Sequence, residues 1–194
     1  KLQLTNQKLE LLSQNLSRFV AQTVVDSLAA GNDDTLKTIQ RSELTLFFSD
    51  IVGFTGMTDE LAPEQMAWLM NDYFTEMTHI CNRWGGTLDQ FIGDAIVIFF
   101  GNPVSNGLDA DARAAVHMAL EMQQRLTVLR EKWKATGIQI PMHVRMGISS
   151  GFCTVGNFGS SERLHYTAIG RVVNEAARTQ ALCPVDKVLV TENT

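Results

Sequence analysis

The sequence is poor in cysteine. Cys81, Cys153 and Cys183 are the three cysteines among 194 residues, and they are widely separated. An odd number at such distances argues against a disulfide framework, and the lack of a Cys-x-x-Cys pair argues against a cysteine metal site. We therefore expect a reducing, cytoplasmic setting.

The sequence also has no excess of basic residues and no long hydrophobic run. Its net charge of −5 and isoelectric point near 5.3 provide no broad basic surface, so we expect no nucleic-acid partner. No apolar run approaches the ~20 residues that span a bilayer, and no signal-peptide pattern is present. We expect a soluble fragment without direct membrane contact, taken from a longer protein that could be a membrane-anchored sensor.

The hydrophobic content, 45%, is sufficient to bury the core of one large domain. Ahead of that domain, the first 30 residues carry apolar side chains at heptad spacing: Leu2, Leu9 and Leu16, with Leu12 and Phe19 at the alternate positions. This spacing favours a helical dimer seam. An amphipathic helix packed on its own domain explains it equally well.

Strand and helix patterns alternate after this segment. Apolar periodicity and turn residues predict strands at 44–49, 87–92, 95–100, 142–149, 152–157 and 187–191, helices at 63–84, 109–132 and 171–182, and a glycine-bearing loop at 156–160. With a short helical turn before Pro63, the order βααββαββαβ indicates a mixed α+β domain. We divide the chain into a helical linker, 1–33, and a catalytic domain, 40–194.

Two aspartates lie where predicted strands end. Asp50 runs into a loop that contains Gly53, and Asp94 is predicted at the tip of a hairpin. A carboxylate at such a position can hold a hard cation, and glycine lets backbone amides approach phosphate oxygens. Each aspartate taken alone is better explained as a turn residue.

Polar residues later in the chain could complete a site. Asn174 and Arg178 are four apart, so they share one face of the predicted helix, although a solvated polar pair has the same spacing. Arg145 interrupts a strand and could bind a terminal phosphate. The four histidines show no metal-ligand spacing, and we interpret them as structural or surface residues.

Taken together, four motifs resemble the class III adenylate and guanylate cyclases. They are FSDIVGFT at 48–55, FIGDAIVIFFG at 91–101, RMGISSG at 145–151 with VGNFGS at 155–160, and YTAIGRVVNEAAR at 166–178. The resemblance spans residues 44–191. It implies a mainly antiparallel sheet flanked by helices, a ferredoxin-like cyclase core, and the helical lead-in that bacterial members carry.

The resemblance also implies a reaction and its residues. The reaction is conversion of ATP to 3′,5′-cyclic AMP and pyrophosphate with two divalent cations, Mg²⁺ or Mn²⁺, at the interface of a homodimer. One subunit would supply Asp50 and Asp94, and the other would supply Asn174 and Arg178. The metal ligands would be Asp50, Ile51 and Asp94, the phosphate contacts Gly53, Phe54, Thr55 and Arg145, the transition-state residues Asn174 and Arg178, and the base contacts Gln90 and Thr167.

The sequence departs from the family pattern at the base contacts and at its end. Gln90 stands where adenylate cyclases usually have a base-reading Lys, and Thr167 is typical of a bacterial subgroup linked to bicarbonate. Both can hydrogen-bond adenine, so we expect an adenylate cyclase. The alternatives are a guanylate cyclase and a catalytically silent nucleotide-binding or dimerisation module. The family's terminal hairpin is missing, so we expect a truncated C-terminal end.

Overall fold

The computed structural model describes residues 7, 8, 11, 12, 15, 17, 19–31 and 38–194. The helices with defined bounds are α1 Gln22–Ala29, α2 Phe54–Glu60, α3 Pro63–Arg83, α4 Leu108–Ala135 and α5 Arg171–Leu182. The strands are β1 Gln40–Ile51, β2 Thr87–Ile92, β3 Ala95–Phe100, β4 Val144–Gly159, β5 Leu164–Ile169 and β6 Lys187–Val190.

These strands form a single sheet. Its order is β2-β3-β1-β4-β5, and every neighbouring pair in that order is antiparallel. The short β6 pairs in parallel with the first part of β4, whereas β5 pairs with the last part. The mixed, mainly antiparallel sheet with flanking helices confirms the α+β fold class.

Helices cover both faces of the sheet, and the central strand β1 supplies side chains to each. Leu44 and Leu46 pack with residues of α5, whereas Phe47 packs with residues of α3 and α4. All three side chains are fully buried. Because successive side chains of a strand point to opposite faces, a strand covered on both sides is apolar at consecutive positions. The layers α3/α4, sheet and α5 follow from this pattern.

The prediction for residues 142–160 was wrong in part. A single strand of 16 residues, β4, replaces the two predicted strands and the predicted loop at 156–160. Gly156 was interpreted as a loop residue, but it lies in the strand, where an added Cβ would be 2.9 Å from the Cα of Ile39. Glycine in a strand can mark close approach of another backbone as well as a turn. The partner strand β5 was not predicted.

Gly147 allows α5 to pack closely on β4. A Cβ at this position would lie 2.1 Å from the backbone nitrogen of Gln180 and 2.7 Å from the carbonyl oxygen of Ala176. Both atoms belong to the helix backbone, so no side-chain rotation can relieve the overlap. Any larger residue at 147 must displace the helix that carries Asn174 and Arg178.

We therefore expect Gly147→Ala to lower the free energy of unfolding by about 1–3 kcal/mol, the usual cost of overpacking a well-packed core. Urea denaturation followed by circular dichroism would measure the change. Gly56→Ala is the matched control, because a Cβ at Gly56 meets no atom within 4 Å. An unchanged denaturation midpoint for Gly147→Ala would contradict the close packing.

The described part of the lead-in segment contacts the catalytic domain. The hydroxyl oxygens of Thr23 in α1 and Thr87 in β2 are 2.9 Å apart, and the Thr87 hydroxyl donates to the carbonyl of Asn102.

Among the described residues, no helix has the length and apolarity needed to cross a membrane.

The predicted dimer seam falls mostly outside the described residues. Leu2, Leu9 and Leu16 are not among them, while Leu12 and Phe19 are described and exposed. The seam therefore stays a prediction, as does the division of the chain at residues 33 and 40.

Candidate active site

The two carboxylates among the three predicted metal ligands lie next to each other. Asp50 is the penultimate residue of β1, and Asp94 occupies the two-residue turn between β2 and β3. Gly93, the other residue of that turn, has a φ of 63°, which glycine adopts without strain. Since β1 and β3 are antiparallel neighbours, the end of β1 meets this turn, and the Ile51 amide donates to Asp94 Oδ2 at 3.0 Å.

The pKa of Asp94 is raised in this pair. Burial raises the pKa of Asp94, the hydrogen bond from the Ile51 amide lowers it, and the adjacent Asp50 carboxylate raises it. Two carboxylates held together repel each other unless positive charge lies between or beside them. The arrangement therefore favours a bound cation.

Arg145 provides one positive charge at this site. It faces Asp50 in the register of β1 and β4, and its guanidinium donates to Asp50 Oδ2 at 3.2 Å. A second guanidinium nitrogen donates to the carbonyl of Ala181 at 3.3 Å, near the end of α5. The structure thus brings Arg145 to the carboxylate pair, and its predicted contact with phosphate stays a prediction.

The predicted phosphate-binding segment begins α2, directly after the carboxylate-bearing end of β1. Gly53 has a φ of 72° and precedes the first helical residue, Phe54. The first intrahelical bond of this helix runs from the Met57 amide to the Gly53 carbonyl, at 3.2 Å. The amides of Phe54 and Thr55 precede that bond, so the helix itself offers them no acceptor. Their predicted donation to phosphate stays a prediction.

The predicted base contacts lie on β2 and β5, the strands at opposite ends of the strand order. Asp89, which was not among the predicted site residues, links β2 to Thr167 on β5. Gln90 is exposed on β2, and Thr167 is half-buried on β5. The Thr167 hydroxyl donates to Asp89 Oδ2 at 2.9 Å. Asp89 belongs to the same motif as Gln90. An acidic residue within a predicted strand, directly before Gln90, was the available signal for it.

The predicted transition-state residues share an exposed face of α5. Asn174 and Arg178 are both exposed, as their spacing predicted. In the described part of the chain, no hydrogen bond or ion pair joins either residue to Asp50 or Asp94. Their predicted roles at the substrate stay predictions.

The donor set at Asp50 and Asp94 is small. Within the described ranges, no group of three or more His, Cys, Asp or Glu side chains could hold a metal ion. Mg²⁺ is commonly bound through one or two carboxylates together with substrate phosphates and water. A pair of carboxylates is compatible with this mode of binding, and the predicted contact of the Ile51 carbonyl with a cation stays a prediction.

Comparison with known proteins agrees with this arrangement. Residues 36–194 match the sequence model of a protein family, the adenylate and guanylate cyclase catalytic domain. Adenylate cyclase 1 of Rhizobium meliloti is 34% identical over 145 residues, which is 73% of this chain and 21% of that protein. The chain thus spans about a fifth of the length of this curated relative.

Two solved structures share the fold. The adenylyl cyclase CyaB from P. aeruginosa is 46% identical, with a TM-score of 0.78 over 80% of this chain and 79% of that one. The guanylyl cyclase Cya2 is 33% identical, with a TM-score of 0.74 over 79% of this chain and 76% of that one. The chain belongs to the adenylate and guanylate cyclase catalytic domain family. The recognition of a class III cyclase domain from four motifs is confirmed.

Proposed function

We propose that the chain is an adenylate cyclase that converts ATP to 3′,5′-cyclic AMP and pyrophosphate. The observation that carries this proposal is the meeting of Asp50 and Asp94 beside Arg145 and the first turn of α2. The similarity to CyaB, an adenylyl cyclase, and to Adenylate cyclase 1 supports the choice of ATP.

The carboxylate pair fits the two divalent cations that the family resemblance implies. Asp50 and Asp94 offer carboxylate oxygens, the ligand type that Mg²⁺ and Mn²⁺ prefer. Cations bound there would lower the pKa of the ribose 3′-hydroxyl and stabilise the charge of the leaving pyrophosphate. Their binding would also relieve the repulsion between the two carboxylates, which adds to the effect of burial in raising the pKa of Asp94.

The other residues near the pair would hold the triphosphate. The amides of Gly53, Phe54 and Thr55 would donate to the β- and γ-phosphate oxygens. Arg145 would have to exchange part of its contact with Asp50 for a contact with phosphate. The guanidinium can make this exchange, because it carries five donors and can bind two anions at once.

We further propose that two copies of the chain assemble each site. Asn174 and Arg178 would reach the substrate from the second subunit, where Asn174 orients the ribose and Arg178 neutralises charge on the α-phosphoryl oxygens. Their exposure on α5 supports this arrangement. Apolar side chains near the base contacts are exposed as well, Ile92 at 53% and Ile169 at 53%, and a second copy would cover them.

Base selection would fall to Gln90 and Thr167. The Gln90 amide can donate to adenine N1, and the Thr167 oxygen can accept from the adenine amino group. A guanylate cyclase is the second candidate, because Gln90 lacks the charge of the usual Lys and because Cya2 is similar as well.

Initial rates with ATP and with GTP, in the presence of Mg²⁺ or Mn²⁺, test the proposal. We expect kcat/KM for ATP to exceed that for GTP by about tenfold or more, since sites built around hydrogen-bonding groups discriminate strongly. A preference for GTP would identify a guanylate cyclase. Absence of cyclic nucleotide from either substrate, with nucleotide binding retained, would indicate a silent binding module.

A further inference from the structure

Asp89 is a buried carboxylate outside the carboxylate pair. Its side chain is 3% exposed. The pairing register of β2 and β3 shifts between Leu88 and Gln90, so Asp89 lies at a β-bulge. Bulges redirect side chains and are frequent next to active sites. The bulge directs this carboxylate away from β3 and toward β5, at the other end of the sheet.

The contacts of Asp89 are made to β5. The Thr167 hydroxyl donates to Oδ2 at 2.9 Å, and His165 Nε2 lies 3.4 Å from Oδ1. His165 Nε2 is also 3.1 Å from the Asp89 carbonyl oxygen. No lysine or arginine pairs with Asp89 in the described part of the chain. Burial of a carboxylate with so little compensation is costly, and such a cost is common where a residue serves function.

The charge state of Asp89 determines what Thr167 can offer. Burial raises the pKa of Asp89 to about 6, which leaves the carboxylate ionised at neutral pH. An ionised carboxylate can only accept hydrogen bonds, so the hydrogen between the two residues belongs to Thr167. The Thr167 oxygen then has only lone pairs available for another partner.

We infer that Asp89 is a positioning residue for base selection, which fixes the Thr167 hydroxyl as a pure acceptor toward the bound base. Adenine carries an amino group, a donor, at the position where guanine carries a carbonyl oxygen, an acceptor. A Thr167 oxygen that can only accept forms a hydrogen bond with the adenine amino group. Opposite guanine, the same oxygen would face the carbonyl oxygen, and two acceptors repel each other. Discrimination would thus include a repulsive element as well as an attractive one. The inference rests on the proposed function, in which Thr167 faces the base.

A merely structural role would give a different result. If Asp89 only joined the two ends of the sheet, its loss would lower stability and slow both nucleotides to the same extent. The ratio of kcat/KM for ATP to kcat/KM for GTP cancels such common effects. This ratio is therefore the measurement that separates the two roles.

The test is Asp89→Asn in the 194-residue chain, assayed with ATP and with GTP. The Asn amide can donate to the Thr167 oxygen and so release the hydroxyl hydrogen, which can then donate to guanine. We expect the ATP/GTP ratio to fall by about tenfold, with most of the fall due to a slower reaction with ATP. Asp89→Glu, which keeps an acceptor-only carboxylate, should retain most of the preference.

Thr167→Val separates this inference from the proposed function. If Thr167→Val lowers the ratio and Asp89→Asn leaves it within about twofold of the unmodified chain, the inference is overturned while base reading by Thr167 stands. If Thr167→Val leaves the ratio unchanged, base reading by Thr167 itself fails. Should Asp89→Asn not fold, Asp89→Ser, whose hydroxyl can also donate, gives the same readout.

Discussion

Asp50→Ala is expected to lower cyclic nucleotide formation by more than about a hundredfold. Removing a residue that only hydrogen-bonds to a metal ligand already lowers metal affinity or activity about 10- to 100-fold, and the loss of a ligand itself should be larger. The substitution would remove one of the two carboxylates at the proposed metal site and the ion-pair partner of Arg145. Cyclic AMP formed from ATP with saturating Mg²⁺ or Mn²⁺ is the measurement. The variant should fold, because its side chain is 32% exposed and contributes little to the core.

Glu43→Ala is the matched control for this variant. Glu43 is an exposed carboxylate on the same strand, at the end remote from Asp94. We expect Glu43→Ala to keep the activity of the unmodified chain, and both variants to show its circular dichroism spectrum. Equal rates for Asp50→Ala and Glu43→Ala would refute the assignment of Asp50 as a metal ligand.

A mixture of Asp50→Ala and Arg178→Ala subunits is expected to regain activity that neither variant has alone. Removal of a preorganised donor such as Arg178 costs about 10²- to 10³-fold in turnover. In a mixed dimer, the intact Asp50 of one subunit meets the intact Arg178 of the other, so one of the two sites is complete. With random association, half of the dimers are mixed, and about a quarter of the normal activity should return.

To ensure exchange of subunits, the two variants should be co-expressed with different affinity tags and purified through both. This purification leaves only mixed dimers, so the expected recovery rises from about a quarter to about half of the normal activity. Arg171→Ala is the matched control, because Arg171 is an arginine of the same helix with an 86% exposed side chain. We expect that variant to be active alone. Inactive mixed dimers, or full activity of Arg178→Ala alone, would contradict a site shared between subunits.

The sequence predicted the elements whose patterns are local. The periodicity after Pro63 predicted α3, and the Gly93-Asp94 pair predicted the turn between β2 and β3. It predicted β4 poorly. Gly156 and Gly159 were interpreted as part of a loop, whereas they lie within one long strand, with φ values of 153° and 144°. Glycine marks both turns and close backbone contacts, and the sequence does not distinguish them.

The candidate site also has features that were predictable from the sequence and features that were not. By itself, the sequence determined the residue types and the order of four motifs, and these were sufficient to recognise the family. Only the tertiary structure decided that Asp50 faces Arg145 across β1 and β4, and that Asp89 contacts Thr167 from the far end of the sheet. The physical reason is that motif spacing is a local property of the chain. Strand register and the curvature of the sheet are set by packing between segments that are distant in sequence.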